Sequence, residues 1–386
     1  MNLRKENWGK VQLGEVCSKV QKVNNRQQSG LFNYIDIGSV DSSLKRVKGV
    51  KQVNWDEASS RARQIVKRGD TLFSTVRVNL ERIAYLDNEI ERGIASTGFT
   101  VIRPNEKILS EFLFYSSITP RFIEKISQLQ KGTAYPAVTD KIVFNEKIYL
   151  PSIDEQKQIA SLFQTMETAI EQIDGQEKNL ISLQSSLISG LLEQYPHFGT
   201  VLNKKNTKLT KFGDIADCIE EHDKAKKKIS RFVGLENIDP ENYQIENWGN
   251  ISDGTTFTKL FNSGDILFGK RRPYLKKVAV AHFDGICSGD VLVFRAKKEA
   301  ILPELLPFYV ASEAFINHAV KTSAGSLSPR TKWKDLREFE FVIPDLEAQD
   351  KILEILNQIQ TLLKYLKEQK MTLNNLKQNL LNEILG

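Results

Sequence analysis

The sequence predicts an α+β protein built from two similar modules, each followed by a long helix, with the two helices pairing antiparallel as a coiled coil. Three observations carry this. A set of short motifs occurs twice in the same order along 386 residues, each copy ends in five apolar heptads, and positive charge gathers in two blocks set apart by the helices.

The duplication runs through most of the chain. Leu13-Gly14-Glu15-Val16 matches Phe212-Gly213-Asp214-Ile215, and Arg68-Gly69-Asp70-Thr71-Leu72-Phe73 matches Ser263-Gly264-Asp265-Ile266-Leu267-Phe268. Gly93-Ile94-Ala95-Ser96 matches Gly285-Ile286-Cys287-Ser288, and Gly132 with Pro136 matches Gly325 with Pro329. Leu150-Pro151 with Gln156 matches Ile343-Pro344 with Gln349, at an offset that stays at 193 from there onward. Earlier the offset drifts, as loop insertions produce. The order divides the chain into a first module at 1–150, a helix at 151–193, a second module with its linker at 194–344 and a second helix at 345–386.

Within the modules, short β-rich runs bounded by Gly, Asp or Asn read as strands. The helices carry a different period. Ile159, Met166, Ile173, Leu180 and Leu187 recur every seven residues, with Phe163, Ile170, Leu183 and Leu191 between them. Ile352, Ile359, Leu366, Leu373 and Leu380 repeat the pattern, with Leu356, Leu363, Leu376 and Ile384 between them. Such a seam needs a partner helix, and each supplies the other's. Without an internal proline, each helix can run for roughly 60 Å at about 1.5 Å per residue.

Charge follows the same division. Residues 1–150 carry 24 Lys and Arg against 16 Asp and Glu, and residues 194–344 carry 23 against 19. The helix segments carry 2 against 7 and 5 against 6. Basic blocks suit a polyanion partner, because cations that neutralise phosphates release condensed counterions. Three widely spaced cysteines, Cys17, Cys218 and Cys287, form no CxxC pair and support neither a disulfide framework nor a zinc ribbon. No apolar run of membrane-spanning length and no signal-peptide pattern is present, so the expected compartment is the cytoplasm.

Catalytic signatures are missing where they would be sought. There is no Asn-Pro-Pro-aromatic tetrapeptide and no GxGxxG. Gly264 to Lys270 satisfies GxxxxGK, but Arg271 stands where a phosphate loop needs Ser or Thr. His197, His222, His282 and His318 lack metal-ligand spacing. No catalytic residue, metal or small-molecule substrate is expected; the chain reads as a binder.

The duplicated order of Gly-Asp-x-Leu-Phe, Gly-x-x-x-Pro and Leu/Ile-Pro-x-x-x-x-Gln opening a heptad helix resembles the specificity subunits of Type I restriction-modification systems. The helix openings differ, Ser152-Ile153-Asp154-Glu155-Gln156 against Asp345-Leu346-Glu347-Ala348-Gln349, and share only the glutamine in register. The resemblance implies two pseudo-symmetric target-recognition domains, each reading one half of a split, asymmetric site in double-stranded DNA, with helix length setting the unread spacer. It implies two methyltransferase subunits and restriction subunits as partners, and places S-adenosylmethionine, ATP and magnesium in those partners, none in this chain. The alternative is a coiled-coil adaptor that binds no DNA.

The segments following the Gly-Asp-x-Leu-Phe strands are the expected DNA contacts. They offer Arg77 and Arg82 in the first module, and Lys270, Arg271, Arg272, Tyr274, Lys276 and Lys277 in the second, with Arg77 aligned to Arg272 and Arg82 to Lys277. Arginine can pair with guanine edges or hold a phosphate. Secondary candidates are Lys45, Arg46, Lys48, Lys51, Arg231 and the run Lys226, Lys227, Lys228.

Overall fold

The computed structural model describes residues 3, 5–24, 27–192, 206–225, 229–240 and 243–386, the side chains at 191 and 192 excepted. The Leu191 side chain, the linker at 193–198, the polar stretch at 203–205 and Lys226 to Lys228 lie outside the described residues. The chain forms two compact units, Met1–Asp174 with Glu368–Gly386, and Gly175–Lys367. The boundary falls inside each long helix, not at its end.

Each unit contains the same two four-stranded sheets. In the first unit the Gly-Asp-x-Leu-Phe strand, Thr71–Ser74, sits between Phe99–Pro104 and Ile83–Tyr85 in an antiparallel sheet, with Phe99 opposite Ser74. A mixed sheet pairs Gly93–Ser96 in parallel with Leu31–Ile35. In the second unit Ile266–Gly269 lies between Val291–Ala296 and Val278–Val280, and Gly285–Cys287 runs parallel to Arg231–Val233. The GxxxxGK near-match is therefore a buried strand.

Alternation along these strands builds two cores at once. Leu72 and Val101 point into a cluster with Ile35 and Ala95 of the mixed sheet. Their neighbours Phe73 and Ile102 join the helical side, with Phe112, Leu113 and Phe122. Leu267 and Val293 against Phe268 and Phe294 repeat the division in the second unit.

The motif's aspartate closes the sheet. Asp70 accepts from the Arg103 guanidinium at 2.8 and 2.6 Å and from the Lys67 N–H at 2.8 Å. Asp265 accepts from Arg295 at 2.7 and 2.7 Å and from the Asn262 N–H at 2.8 Å. Gly69 and Gly264 precede them at φ +86° and +92°, in the left-handed region that glycine enters without penalty.

The long helices run Ile153–Leu192 and Leu346–Leu385. Ser152 and Glu155 form a reciprocal cap at the start of the first, and Asp345 caps the Ala348 N–H at 2.9 Å in the second. The shared glutamine has one task in both. Gln156 accepts from the Leu109 N–H at 2.8 Å and donates to Pro151 O at 3.0 Å, and Gln349 accepts from the Leu302 N–H at 2.8 Å and donates to Pro344 O at 2.8 Å. Both are almost fully buried, so truncation leaves buried backbone groups unpaired. Gln156→Ala and Gln349→Ala are each expected to cost about 1–3 kcal/mol in denaturant titrations, with faster hydrogen exchange at Leu109 and Leu302 respectively.

Inside the first unit the two helix segments pair antiparallel. Lys377 meets Glu167 at 2.5 Å and Lys370 meets Asp174, so seven residues forward on one helix is seven backward on the other. Ile159, Phe163 and Met166 share one core with Leu381, Ile384 and Leu385, and the half-buried Leu373 and Leu380 pack on it. In the second unit Ile188 shares a core with Ile352 and Leu356. Ile173, Ile359, Leu363 and Leu366 are also buried, and Leu180 and Leu187 half-buried.

Two seam expectations need correction. Leu183 and Leu376 are 48% and 49% exposed, and the adjacent Gln184 and Lys377 turn inward instead. One residue is about 100° of helix rotation, so a leucine one place early leaves the stripe. A polar residue at the seam position proper is tolerated because Lys377 is paired with Glu167, which also accepts from the Tyr115 hydroxyl at 2.8 Å.

Candidate nucleic-acid interface

The predicted contact segment is a strained turn clamped by a second loop, and both units build it alike. After the strand Thr71–Ser74, Arg77 adopts φ 49°, a one-turn helix Val78–Leu80 follows, and Glu81 returns at φ 50°. After Ile266–Gly269, Arg272 (φ 53°), Pro273–Leu275 and Lys276 (φ 51°) do the same. Left-handed backbone in a non-glycine residue costs on the order of 1 kcal/mol or more and is held only where the surroundings enforce it.

The enforcing element is the Gly-x-x-x-Pro loop. Lys131 and Ala137 exchange backbone hydrogen bonds at 2.9 Å each, Gly132 turns at φ +104°, and Pro136 O accepts from the Arg77 N–H at 2.8 Å. Ala324 and Arg330 exchange bonds at 3.0 and 2.9 Å, Gly325 turns at φ +116°, and Pro329 O accepts from the Arg272 N–H at 2.7 Å. The aligned arginines also grip the loop with their side chains. Arg77 donates to Ala134 O at 3.1 Å and lies 5.0 Å from the Tyr135 ring centroid, and Arg272 donates to Leu327 O at 3.3 Å.

This places the expected residues into distinct roles. Arg77, exposed, and Arg272, half-buried, hold the loop. Arg271 donates to the Ser328 hydroxyl at 3.2 Å and stands 3.8 Å from Asp290, and Lys270 gives its backbone N–H to Asp290 O at 2.9 Å. Arg330 binds Asp290 bidentately at 2.8 and 3.2 Å. That hydrogen bond, with the charges of Lys270 and Arg271, holds the Asp290 carboxyl below its ordinary range. The clamp is therefore at full strength above the ordinary carboxylate value and is lost as pH falls through the depressed one. Tyr274 is 52% exposed and projects from the turn, and Lys276 pairs with Glu313.

Arg82 and Lys277 each donate to backbone carbonyls of their own unit. Arg82 donates to Val40 O at 2.5 Å, and Lys277 donates to Leu235 O at 2.5 Å and Ile238 O at 3.0 Å. Among the secondary candidates, Lys45 pairs with Glu81, Arg46 with Glu171 and Lys51 with Asp36, while Arg231 stacks between Trp248 and Phe283 at 4.7 and 4.9 Å.

Sequence reasoning missed Tyr135, Leu327 and Arg330 as surface residues of this element. Tyr135 is 72% and Leu327 88% exposed, in matching loops but one place apart, Leu327 aligning with Ala134 and Tyr135 with Ser328. The signal was the duplicated Gly-x-x-x-Pro, which spans both. Elsewhere, burial pushes the Cys17 and Cys287 thiols up to about 12 and Cys218 up to about 11, too high for a thiolate nucleophile at neutral pH. Among the described residues no helix is long and apolar enough to cross a membrane.

The model of the Type I restriction modification DNA specificity domain matches twice, over residues 5–182 and 204–375. The chain belongs to this family. It is a Type I specificity chain, the non-catalytic, DNA-recognising component whose enzymatic activities lie in other subunits. It is 25% identical over 327 residues to the Type I restriction enzyme MjaVIII specificity subunit of Methanocaldococcus jannaschii, across 76% of this chain and 74% of that protein. It is 23% identical over 316 residues to the EcoDI specificity subunit of Escherichia coli, across 71% and 69%. A match to the HindI specificity subunit of Haemophilus influenzae, 26% identical over 169 residues, takes in 42% of the specificity chain and only 36% of that protein's length. In fold, it resembles a chain from a structural study of Type I restriction-modification assembly and conformational transition, with TM-score 0.65, 24% identity and 97% of each chain covered. It also resembles the S subunit from M. genitalium, with TM-score 0.56, 13% identity, and 100% and 98% covered.

Proposed function

We propose that each unit of the specificity chain reads one half of a split, asymmetric site in double-stranded DNA through its clamped double loop. The observation that carries this is the duplication of the element. Both units keep the left-handed arginine, the one-turn helix and the Gly-x-x-x-Pro loop, and each loop presents an exposed apolar side chain, Tyr135 or, one place earlier in its loop, Leu327. The cations of this surface include Arg271 and Arg330 in the second unit and Arg77 in the first, with Tyr274 beside those of the second unit.

The partners that fit are two methyltransferase subunits and restriction subunits, with S-adenosylmethionine, ATP and magnesium bound by those partners. The setting that fits is the cytoplasm. The coiled-coil adaptor is disfavoured by the double match to a DNA specificity domain.

The test is methylome sequencing of a host expressing the chain with its methyltransferase partner, wild type and with Arg271 and Arg272 both replaced by alanine. The variant is expected to relax or lose methylation dictated by one half-site while the other half stays fixed. Equal loss at both halves contradicts modular reading. Phosphate contacts among these residues should also lower the salt slope of binding by about 0.9 per contact removed.

A further inference from the structure

Among the described residues the two loop tips carry the most exposed large apolar side chains of their units, Leu327 at 88% and, one place later in its loop, Tyr135 at 72%. A solvated leucine is unremarkable on a loose surface loop, but these tips are not loose. Each loop is closed by a reciprocal pair of backbone hydrogen bonds, tied to the neighbouring turn through its proline carbonyl, and gripped by an arginine that donates to Leu327 O or Ala134 O. The fold thus spends a left-handed backbone on holding an apolar tip outward.

The company of the tips indicates what they meet. Leu327 is followed by Ser328, which Arg271 grips, and by Arg330, which is held on Asp290. Tyr135 has the Arg77 guanidinium against its ring. Leucine has no donor or acceptor with which to read a base edge, so it gains only where it reaches a dry surface. On duplex DNA such surfaces are base faces, uncovered when a step is opened, or a single thymine methyl in the major groove. An apolar tip among arginines on a rigid support matches the wedges that part base steps and kink DNA.

We propose that Leu327 and Tyr135 are wedges, each entering the base stack of its own half-site, with Arg272 and Arg77 as positioning residues. This rests on the DNA-reading function proposed above.

The experiment uses the chain assembled with its methyltransferase partner and a duplex carrying the site mapped by methylome sequencing. 2-Aminopurine is placed in turn at each step of each half-site, away from the adenine to be methylated. Binding is followed separately by anisotropy of a terminal dye. The expected result is a several-fold fluorescence rise at one step in each half. Leu327→Ala should abolish the rise in the second unit's half only, and Tyr135→Ala in the first unit's half only. Leu327→Met, which keeps an apolar tip, should retain it. Tight binding with every probe silent overturns the wedge and leaves the reading function standing, as does a silent half-site whose affinity falls when one thymine is replaced by uracil. Absence of site-specific binding by the wild-type assembly overturns both. Arg272→Lys and Arg77→Lys separate positioning from charge: if the rise survives unchanged in both, the positioning role fails.

Discussion

Deleting residues 381–386 is expected to unfold the first unit while the second keeps its structure. Leu381, Ile384 and Leu385 are 0%, 7% and 8% exposed and sit in the same core as Trp8, Phe112, Phe163 and Met166. At roughly 1.5–3 kcal/mol per buried side chain, their loss amounts to about 5–9 kcal/mol, an upper estimate because the unfolded chain already buries some apolar surface. That is comparable with the whole stability of a domain. The deletion also removes the carbonyls of Glu383 and Gly386 that receive Lys5 and Arg121. Hydrogen exchange read by mass spectrometry is the direct check: amides in residues 1–174 should lose protection and those in residues 206–367 should keep it. A milder Leu381→Ala should cost about 2–5 kcal/mol. Uniform loss, or none, would show that the cluster does not stabilise the first unit as argued.

Replacing Asp70 with alanine should be the next most damaging change. It leaves the Arg103 guanidinium, 14% exposed, without its carboxylate and with only Ile65 O as acceptor, along with the Lys67 N–H. Breaking one side of a buried ion pair typically costs about 3–5 kcal/mol. Asp265→Ala should cost less, because the Arg295 side chain is 38% exposed and water can take over part of the carboxylate's role. Thermal or denaturant unfolding of the two variants orders them. Equal costs would mean that the turn N–H contacts, not the ion pairs, dominate.

The two aspartates also show what the sequence could disclose. Duplication alone marked Gly-Asp-x-Leu-Phe as important, and its β-rich run bounded by Gly and Asp is a strand as expected. Its distant arginines, Arg103 and Arg295, lie outside the motif, and ion pairing is settled by tertiary approach. The heptads were read correctly where the apolar residue fell on the seam, as at Ile159, Met166, Ile352 and Ile359. They were misread at Leu183 and Leu376, where a leucine beside the seam was preferred to a polar residue on it. At Lys377 the polar residue is met by Glu167, a pairing that could not be assigned before the helices were paired, whereas the buried Gln184 amide nitrogen has no partner among the described residues.

The clamped double loop was half legible. The turn after each strand was located, but charge alone could not separate Arg271, beside Asp290 and Ser328, from Lys277, committed to two carbonyls. Both are lysine or arginine in one short run, and side-chain direction follows from the left-handed residues at Arg272 and Lys276, which no local propensity predicts. The loop residues Tyr135 and Leu327 were passed over because exposed apolar residues have no sequence signature apart from position.

Residues 368–386 belong to the same compact unit as residues 1–174, which shapes how the chain is made. A nascent chain ordinarily folds from its N-terminus as each domain leaves the ribosome. Here the first unit must wait for a segment made after some 190 intervening residues, roughly 10–40 s at bacterial-range synthesis rates of about 5–20 residues per second. Through that interval Phe163 and Met166 present an unfinished apolar face, which makes the growing chain a natural client for chaperones and gives early-terminated products a built-in route to proteolysis.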